Sequence, residues 1–197
     1  MYIKEASSNT IIIEKSKFIA YLHPCFSDEE YKNLIKEIKK KHYDANHVCS
    51  GFINDNIKRS SDDGEPSGTA GVPILSTLEK SNINHTAAFV VRYFGGIKLG
   101  AGGLIRAYTQ VVSDAIKISH FVNDIEYNKY ELILSYEIAN KVKYLLEKET
   151  LNLNTKYDEN VIFTYLSNDD NLINKIMEIT SGIKPVFIQK EVIQKDV

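Results

Sequence analysis

The stretch VVRYFGGIKLGAGGLIR, residues 90–106, guides the interpretation of the whole chain. It begins within an apolar segment, Ala87–Phe94, and continues as a loop that contains five of the chain's ten glycines. It then enters an amphipathic segment, Leu104–Ile118, so the pattern predicts a strand, a glycine-rich loop and a helix. The cations in or beside this loop are Arg92, Lys98 and Arg106.

The glycine loop fails two specific tests for a nucleotide-binding motif. A P-loop needs a lysine directly after its second glycine, but Gly100 is followed by Ala101. The dinucleotide motif needs a third glycine or alanine where this chain has Ile105. Two interpretations stay open. Either the backbone N–H groups of the helix start bind an anion or an RNA phosphate, or the loop is a tight structural turn.

A second motif, DDGEPSGTAG at residues 62–71, lies upstream of the glycine loop. Its carboxylates, Asp62, Asp63 and Glu65, could hold Mg²⁺ or act as acid and base. No partner ligand stands at a fixed spacing, so we favour a turn whose carboxylates pair with Arg92 or Arg106. Ser67 and Thr69 are expected to cap the helix that follows.

Composition excludes several classes of protein. The 197 residues carry a formal net charge of −2, so any binding to RNA needs a local basic patch. The two cysteines, Cys25 and Cys49, predict buried, reduced thiols and no disulfide framework. The histidines and cysteines lack zinc-ligand spacing, and Cys49 beside His47 is not favoured as a nucleophile. No secretory signal or membrane-spanning run is visible, which predicts a cytoplasmic protein.

Secondary-structure signals along the chain predict an α+β fold in two domains, 1–127 and 128–197, with the boundary within residues 120–128. Thr86–Phe94 is apolar on both faces except at Arg92, as in a central strand that is covered on both sides. After residue 128 the predicted order is βαββαβ, which is the ferredoxin-like arrangement. The first domain should contain a hairpin (10–13 and 17–23), a helix after the Ser27–Glu30 capping box, a strand (47–53), a turn (54–56) and a helix from 71–73.

Two segments together carry a family resemblance: SDDGEPSGTAGVPIL at 61–75 and VVRYFGGIKLGAGGLIRAY at 90–108. With HVCSGF at 47–52 and the βαββαβ tail, they resemble the YigZ/IMPACT family in its bacterial, two-domain form. The resemblance implies an N-terminal domain of ribosomal-protein type, similar to domain IV of elongation factor G, with helices on one side of a mixed sheet. It also implies a C-terminal domain like the ferredoxin-like domains of that factor.

The family also implies a role. Members are proposed to bind nucleic acid or the ribosome, and eukaryotic IMPACT proteins regulate translation by restraining a kinase of initiation factor 2. That restraint uses an additional N-terminal domain, whereas this chain begins with the motif domain, so we do not expect kinase regulation here. Some members carry a peptidase label, but no metal-ligand set in this sequence supports one.

Our leading hypothesis is a non-enzymatic protein that binds RNA or the ribosome and modulates translation. The alternative is a metal-dependent, peptidase-like hydrolase that uses Asp62, Asp63 or Glu65, and a third possibility is a purely architectural role for both loops. We expect no cofactor, no metal, no membrane or DNA-sequence partner, and a monomer or weak dimer. We assign no catalytic residue. The predicted anion-binding residues are Arg92, Tyr93, Gly95, Gly96, Lys98, Gly100, Gly102, Gly103 and Arg106, and the upstream motif loop comprises Asp62, Asp63, Gly64, Glu65, Pro66, Ser67, Gly68 and Thr69.

Overall fold

The computed structural model describes residues 1–55 and 57–197, which form two compact units. Unit 1 comprises Met1–Asn123 with Asp196–Val197, and unit 2 comprises Asp124–Lys195. Of the predicted turn at 54–56, Asp55 takes a positive φ of 47°, while Asn56 lies outside the described residues. Within the described ranges, no helix is long and apolar enough to cross a membrane.

A five-stranded sheet forms the centre of unit 1. In spatial order its strands are β2 (Ser7–Ile13), β3 (Ser16–Pro24), β6 (Thr86–Tyr93), β4 (His47–Asn54) and β5 (Ile57–Ser61). All four neighbouring pairs are antiparallel, so the expected mixed sheet is wrong for this unit. Sequence reasoning missed β5 because its residues, IKRSS, are mostly polar and exposed.

Helices cover both faces of this sheet. Helix α1 (Asp28–Lys41) packs on one face, and α2 (Gly71–Lys80) and α3 (Gly100–Lys117) contribute to the core on the other. Strand β6 explains the arrangement because its side chains alternate: 87, 89 and 91 join the α1 core, and 88 and 90 join the α2–α3 core. The expectation of helices on one side is therefore wrong, whereas the predicted central, doubly covered strand is confirmed.

The predicted capping of α1 is largely as expected. The Ser27 hydroxyl accepts a hydrogen bond from the N–H of Glu30 at 3.1 Å. The carboxylate of Glu30 reaches back to the N–H of Phe26 at 2.7 Å, one residue earlier than predicted. On the buried side, the Tyr31 ring stacks on Phe52 and Phe89, with centroid distances of 5.2 and 5.7 Å. These stacked rings attach the helix to β4 and β6.

Helix α3 begins at Gly100, four residues before the predicted start, so three of the loop glycines belong to its first turn. Glycine is a poor helix former, which is why the pattern placed the start at Leu104. Burial of the side chains that follow, including Leu104, Tyr108 and Val111, offsets that cost. Ahead of the helix, Gly95 lies against the β2–β3 turn, where an added Cβ would overlap the backbone of Lys15.

Unit 2 follows the predicted order of elements. Strand β7 (Phe121–Leu134) runs through the predicted linker region from residue 121 onward. Its first residues, Phe121 and Val122, belong to unit 1 and pair there with β1 (Tyr2–Ile3). The remaining elements are α4 (Tyr136–Glu149), β8 (Leu151–Tyr157), β9 (Val161–Ser167), α5 (Asp170–Ile179) and β10 (Val186–Asp196). Within unit 2 the strand order is β10-β7-β9-β8, and the carboxylate of Asp169 caps α5 by accepting from the N–H of Asn171. Its core joins β7, β9 and the apolar sides of α4 and α5.

Candidate functional site

A cleft of about 430 Å³ brings the two sequence motifs together in unit 1. We call it the Arg92 cleft. The β6 strand delivers Arg92 and Phe94, the upstream motif delivers Glu65 and Pro66, and the start of α3 closes the remaining side. The complete lining comprises Asn46, His47, Glu65, Pro66, Arg92, Phe94, Lys98, Leu99, Gly100, Ala101 and Leu104.

A buried ion pair forms the floor of the Arg92 cleft. Nη1 of Arg92 donates to Oε1 of Glu65 at 2.6 Å, and the two side chains are only 6% and 3% exposed. The hydroxyl of Tyr108, on α3, donates to the same oxygen at 2.7 Å. The carboxylate thus joins the upstream motif, β6 and α3. Arg92 is therefore not placed as an open phosphate ligand, although its predicted pairing with a motif carboxylate is confirmed.

Two polar groups of the ion pair still have hydrogen-bonding capacity. Nε of Arg92 is buried and has no hydrogen-bond partner among the described residues. Oε2 of Glu65 accepts no hydrogen bond from the described residues. It is also not among the fully enclosed polar atoms, so it keeps some contact with solvent. Oε1 of Glu65 therefore binds the protein, whereas Oε2 is not fully enclosed.

His47 and Cys49 project from β4 toward the same floor. Nδ1 of His47 lies 2.9 Å from the carbonyl oxygen of Asp63, which can only accept, so Nδ1 carries the proton. In the neutral ring Nε2 is then an acceptor, and it lies 4.0 Å from Oε1 of Glu65. The Cys49 thiol donates to the carbonyl of Asp62, and burial raises its pKa to about 12. A protonated thiol does not serve as a nucleophile at neutral pH.

Asp62 caps helix α2 from a distance. Its carboxylate accepts from the N–H groups of Gly68, Ala70 and Gly71 at 2.8, 3.0 and 2.8 Å. Desolvation opposes ionisation, but the three backbone bonds together outweigh it and lower the pKa of Asp62. The expected capping of α2 by Ser67 or Thr69 is wrong, because the Thr69 hydroxyl instead donates to the carbonyl of Pro66.

Asp63 also has a structural role. One carboxylate oxygen accepts from the N–H of Val48 at 2.7 Å, and the other pairs with Lys39 of α1 at 2.6 Å. Desolvation again opposes ionisation, but the bonds to Lys39 and Val48 lower the pKa of Asp63. The three motif carboxylates therefore bind three different sets of partners. Among the described residues, no three acidic, histidine or cysteine side chains are grouped so as to hold a metal ion.

The start of α3 is an exposed part of the site. Its N-cap residue, Leu99, offers no capping side chain, and its first turn contains no acidic residue. Gly100 and Gly102 are exposed, so no side chain of theirs covers the backbone N–H groups. The side chains of Lys98 and Arg106 are exposed beside them, without an ion pair among the residues that the structure describes. Positive charge and free N–H groups meet here.

The remaining predicted residues have structural roles that the geometry shows. Tyr93 lies on the α1 face of the sheet, where its hydroxyl forms a hydrogen bond with His42 at 2.8 Å. Because neighbouring side chains of β6 point to opposite faces, Tyr93 points away from the cleft that Arg92 lines. Gly95 and Gly103 are packed closely, against Lys15 and against the Leu99 side chain. Gly96 and Gly100 take positive φ values of 87° and 68°, where glycine is unstrained. In the upstream loop Gly64 and Gly68 do the same, at 87° and 74°.

Sequence reasoning missed several residues of the cleft. Asn46, His47 and Phe94 were not predicted as members, although Phe94 stands beside the glycines. The buried partner of Glu65, Tyr108, was not predicted either. Phe94 is 45% exposed and lines the cleft, and Asn46 fixes the backbone there by accepting from the N–H of Phe94 at 2.8 Å. His47 and Tyr108 come from other elements, so only the pairing of β4 with β6 and the packing of α3 reveal them.

Comparison with known proteins agrees with the resemblance seen in the two motifs. The model of the Impact N-terminal domain matches residues 14–116, slightly more than half of the chain. The chain is 42% identical to the IMPACT family member YvyE of Bacillus subtilis over 91% of its length and 86% of that protein. It is 36% identical to the IMPACT family member YigZ of Escherichia coli, over 68% of each chain.

A solved structure has a similar fold over nearly the whole chain. A structure described as "Crystal structure of an hypothetical protein" is 28% identical, with a TM-score of 0.61 over 95% of this chain and 96% of that one. The matched domain contains both motif loops, the buried ion pair and the start of α3. This chain belongs to the IMPACT family.

Proposed function

We propose that this protein binds RNA, in the ribosome or in a structured transcript, and thereby modulates translation. The observation that carries the proposal is the uncapped, glycine-lined start of α3 with Lys98 and Arg106 exposed beside it. Backbone N–H groups at a helix N-terminus bind phosphate, and the two cations add charge-assisted contacts.

The resemblance supports the link to translation, because members of the family are proposed to bind nucleic acid or the ribosome. Two finer fold assignments belong to the same proposal. We infer that unit 2 is ferredoxin-like, as its βαββαβ order and its strand order β10-β7-β9-β8 support. The similarity of unit 1 to domain IV of elongation factor G stays a prediction. We propose a cytoplasmic location on the same family grounds.

Binding to ribosomes and to structured RNA at low salt tests the proposal. Replacing Lys98 and Arg106 together by alanine should weaken binding roughly tenfold, because two phosphate contacts and their counterion release are lost. The slope of log K against log salt should fall by roughly one for each cation removed. Both side chains are exposed, so the unfolding curve of the variant should match that of the parent.

The matched control is the Lys36→Ala/Lys80→Ala variant, which removes two exposed lysines from α1 and α2. It should bind with nearly the parent affinity. The site assignment fails if both double variants lose the same affinity, since that would indicate a diffuse charge effect. The functional proposal fails if the parent binds neither ribosomes nor RNA at low salt.

A further inference from the structure

We propose that strand β10 pairs antiparallel with the β10 strand of a second copy of this chain, centred on Ile193, and so forms a dimer. The pairing joins the four strands of unit 2 in each copy, β10-β7-β9-β8, into one continuous sheet. This inference goes beyond the proposed function and does not depend on RNA binding. Three features of β10 carry it: its long outer edge, its exposed apolar residues and the order of its charges.

The outer edge of β10 is the longest that either sheet presents. Among the described residues the sheets end at β1, β2, β5, β8 and β10, and β10, with 11 residues, is the longest of these strands. The ladder of β8 has a register shift between Leu151 and Asn154, and such irregularities discourage further pairing. β10 contains no proline or glycine, so its backbone can form a second ladder.

Apolar side chains of β10 are accessible although the strand belongs to a sheet. Val186, Phe187, Ile188 and Val192 are between 45% and 64% exposed. A long edge strand with exposed apolar residues is a template on which a further strand pairs. The strand carries two lysines, one glutamate and one aspartate, so it has no net charge that would attract a nucleic acid.

The order of the charges makes β10 complementary to itself. When a two-fold axis relates two identical antiparallel strands, one residue lies opposite its own copy, and the residues on either side face each other in reverse order. With Ile193 at the centre, Glu191 lies opposite Lys195, and Lys190 lies opposite Asp196. Each pair occurs twice in the dimer, so every charged residue of both strands faces an opposite charge.

The nearby two-fold registers lack this match. Centring the pair on Lys190 or Glu191 places a charge opposite its own copy, which is destabilising. Centring it on Val192 places Glu191 opposite Ile193, so the carboxylate loses its partner across the interface. Lysine on an edge strand ordinarily discourages pairing, whereas in the Ile193 register each lysine faces a carboxylate. The charges therefore favour a second copy as the occupant of this edge.

The contacts of β10 with β7 are compatible with the dimer. Nζ of Lys190 lies 2.7 Å from Oε1 of Glu126, and Oε2 of Glu191 lies 3.0 Å from Nζ of Lys129. Side chains stand roughly perpendicular to a sheet, so a charge on the next strand adds to such a pair without displacing it. The dimer thus extends two rows in which the sign of the charge alternates from strand to strand.

Sedimentation equilibrium over a range of protein concentrations measures the association. The parent should form dimers that dissociate on dilution. Glu191→Lys and Lys195→Glu should each associate roughly tenfold more weakly, because each places like charges opposite each other twice. An equimolar mixture of the two variants should recover the association of the parent, since its mixed dimers again join opposite charges.

Lys156→Glu is the matched control, because it makes the same charge change on β8, at the opposite end of the same sheet. It should associate like the parent. Lys156 and Lys195 are both exposed, so denaturation of either variant in dilute solution should follow the parent closely. That comparison separates loss of association from loss of fold.

Ile193→Cys tests the register directly. In the dimer this position lies opposite its own copy, with about 4.5–5.5 Å between the Cα atoms, which is within the range of a disulfide. Both native cysteines are buried, so the introduced thiol is the one that mild oxidation reaches. Ile193→Cys should therefore become covalently dimeric much faster than Val192→Cys, whose position faces residue 194 of the other copy.

Several results would overturn the proposal. A parent that stays monomeric at millimolar concentration excludes the dimer, and equal association of the parent and both charge variants places it on another surface. Equally weak association of the mixture and of the separate variants excludes the Ile193 register, as does faster cross-linking of Val192→Cys. Equal losses in Lys156→Glu and Lys195→Glu indicate a diffuse charge effect or pairing of β10 with β8. Each of these outcomes leaves RNA binding by unit 1 to its own test.

Discussion

At the scale of single residues, Glu65 has more structural partners than its place in a glycine-rich loop suggests. Its Oε1 accepts from both Arg92 and Tyr108, and the side chain is 3% exposed. The desolvation of two charges offsets much of their attraction, so the intact pair adds little net stability. Removing one partner has a larger effect, because the other charge stays buried without compensation.

Glu65→Gln should therefore lower the free energy of unfolding by about 3 kcal/mol, since a neutral amide leaves the buried Arg92 charge unpaired. Urea denaturation followed by circular dichroism measures the change. Glu79→Gln is the matched control: it breaks an exposed pair with Lys58 and should shift the midpoint very little. Equal shifts in the two variants would show that the Glu65–Arg92 pair is not energetically distinct from a surface pair.

The sequence predicts some residues of the site and not others for a physical reason. The pairing of a motif carboxylate with Arg92 was foreseeable, because the two groups carry opposite charges and lie in the two motifs that the sequence brings to notice. The sequence cannot tell which carboxylate is buried, since Asp62, Asp63 and Glu65 look alike as letters. Their separate partners are backbone N–H groups, Lys39 and Arg92, which only the folded loop brings within reach.

At the scale of elements, the start of α3 is helical although its residues disfavour a helix. Glycine disfavours a helix, and the N-cap residue, Leu99, cannot satisfy the first N–H groups with its side chain. The pattern consequently placed the start at Leu104, whereas tertiary packing of the later turns extends the helix back to Gly100. An acidic residue in the first turn would have stabilised this helix, yet the sequence has none there. That composition suits the binding of an external anion.

Ala101→Glu tests this interpretation because it moves stability and binding in opposite directions. A carboxylate in the exposed first turn should raise the free energy of unfolding by about 0.5 kcal/mol through the helix dipole. It should also repel phosphate and weaken RNA binding by roughly tenfold or more. Ala101→Gln adds a side chain of similar size without charge and serves as the control for crowding. If Ala101→Glu binds RNA as well as Ala101→Gln does, the start of α3 is not the phosphate site.

At the scale of the whole molecule, the chain's charge gives no general attraction to RNA. Residues 1–127 hold 15 basic and 15 acidic side chains, and the whole chain has a net charge of −2. Any binding to RNA must then depend on where charges are left unpaired, which a count cannot reveal. The two-unit α+β architecture was predictable from the order of strands and helices. The antiparallel sheet of unit 1 was not, because strand pairing joins segments that are distant in sequence, such as β3 and β6.

The stability of the molecule toward acid should depend on the two aspartates that hold the upstream loop. Asp62 and Asp63 both have pKa values below the ordinary value for aspartate, so their ionised forms stabilise the folded state. This contribution is fully present above the unfolded-state pKa of about 3.9 and is lost as the pH falls through the lower folded-state values. Stability should therefore decrease steeply below about pH 4, as protonation breaks the cap of α2 and the contact with Lys39.

Asp62→Asn should lower stability at neutral pH and make the decrease below about pH 4 shallower, because one of the two titrating groups is absent. Urea denaturation across an acidic pH series measures the slope. Asp114→Asn, which removes a carboxylate that pairs with Lys117 on the surface of α3, is the matched control and should keep the parent's slope. If Asp62→Asn and the parent lose stability in parallel as the pH falls, the backbone N–H groups of Gly68, Ala70 and Gly71 do not depend on an ionised Asp62. The cap of α2 would then contribute to the fold through its hydrogen-bond geometry and not through its charge.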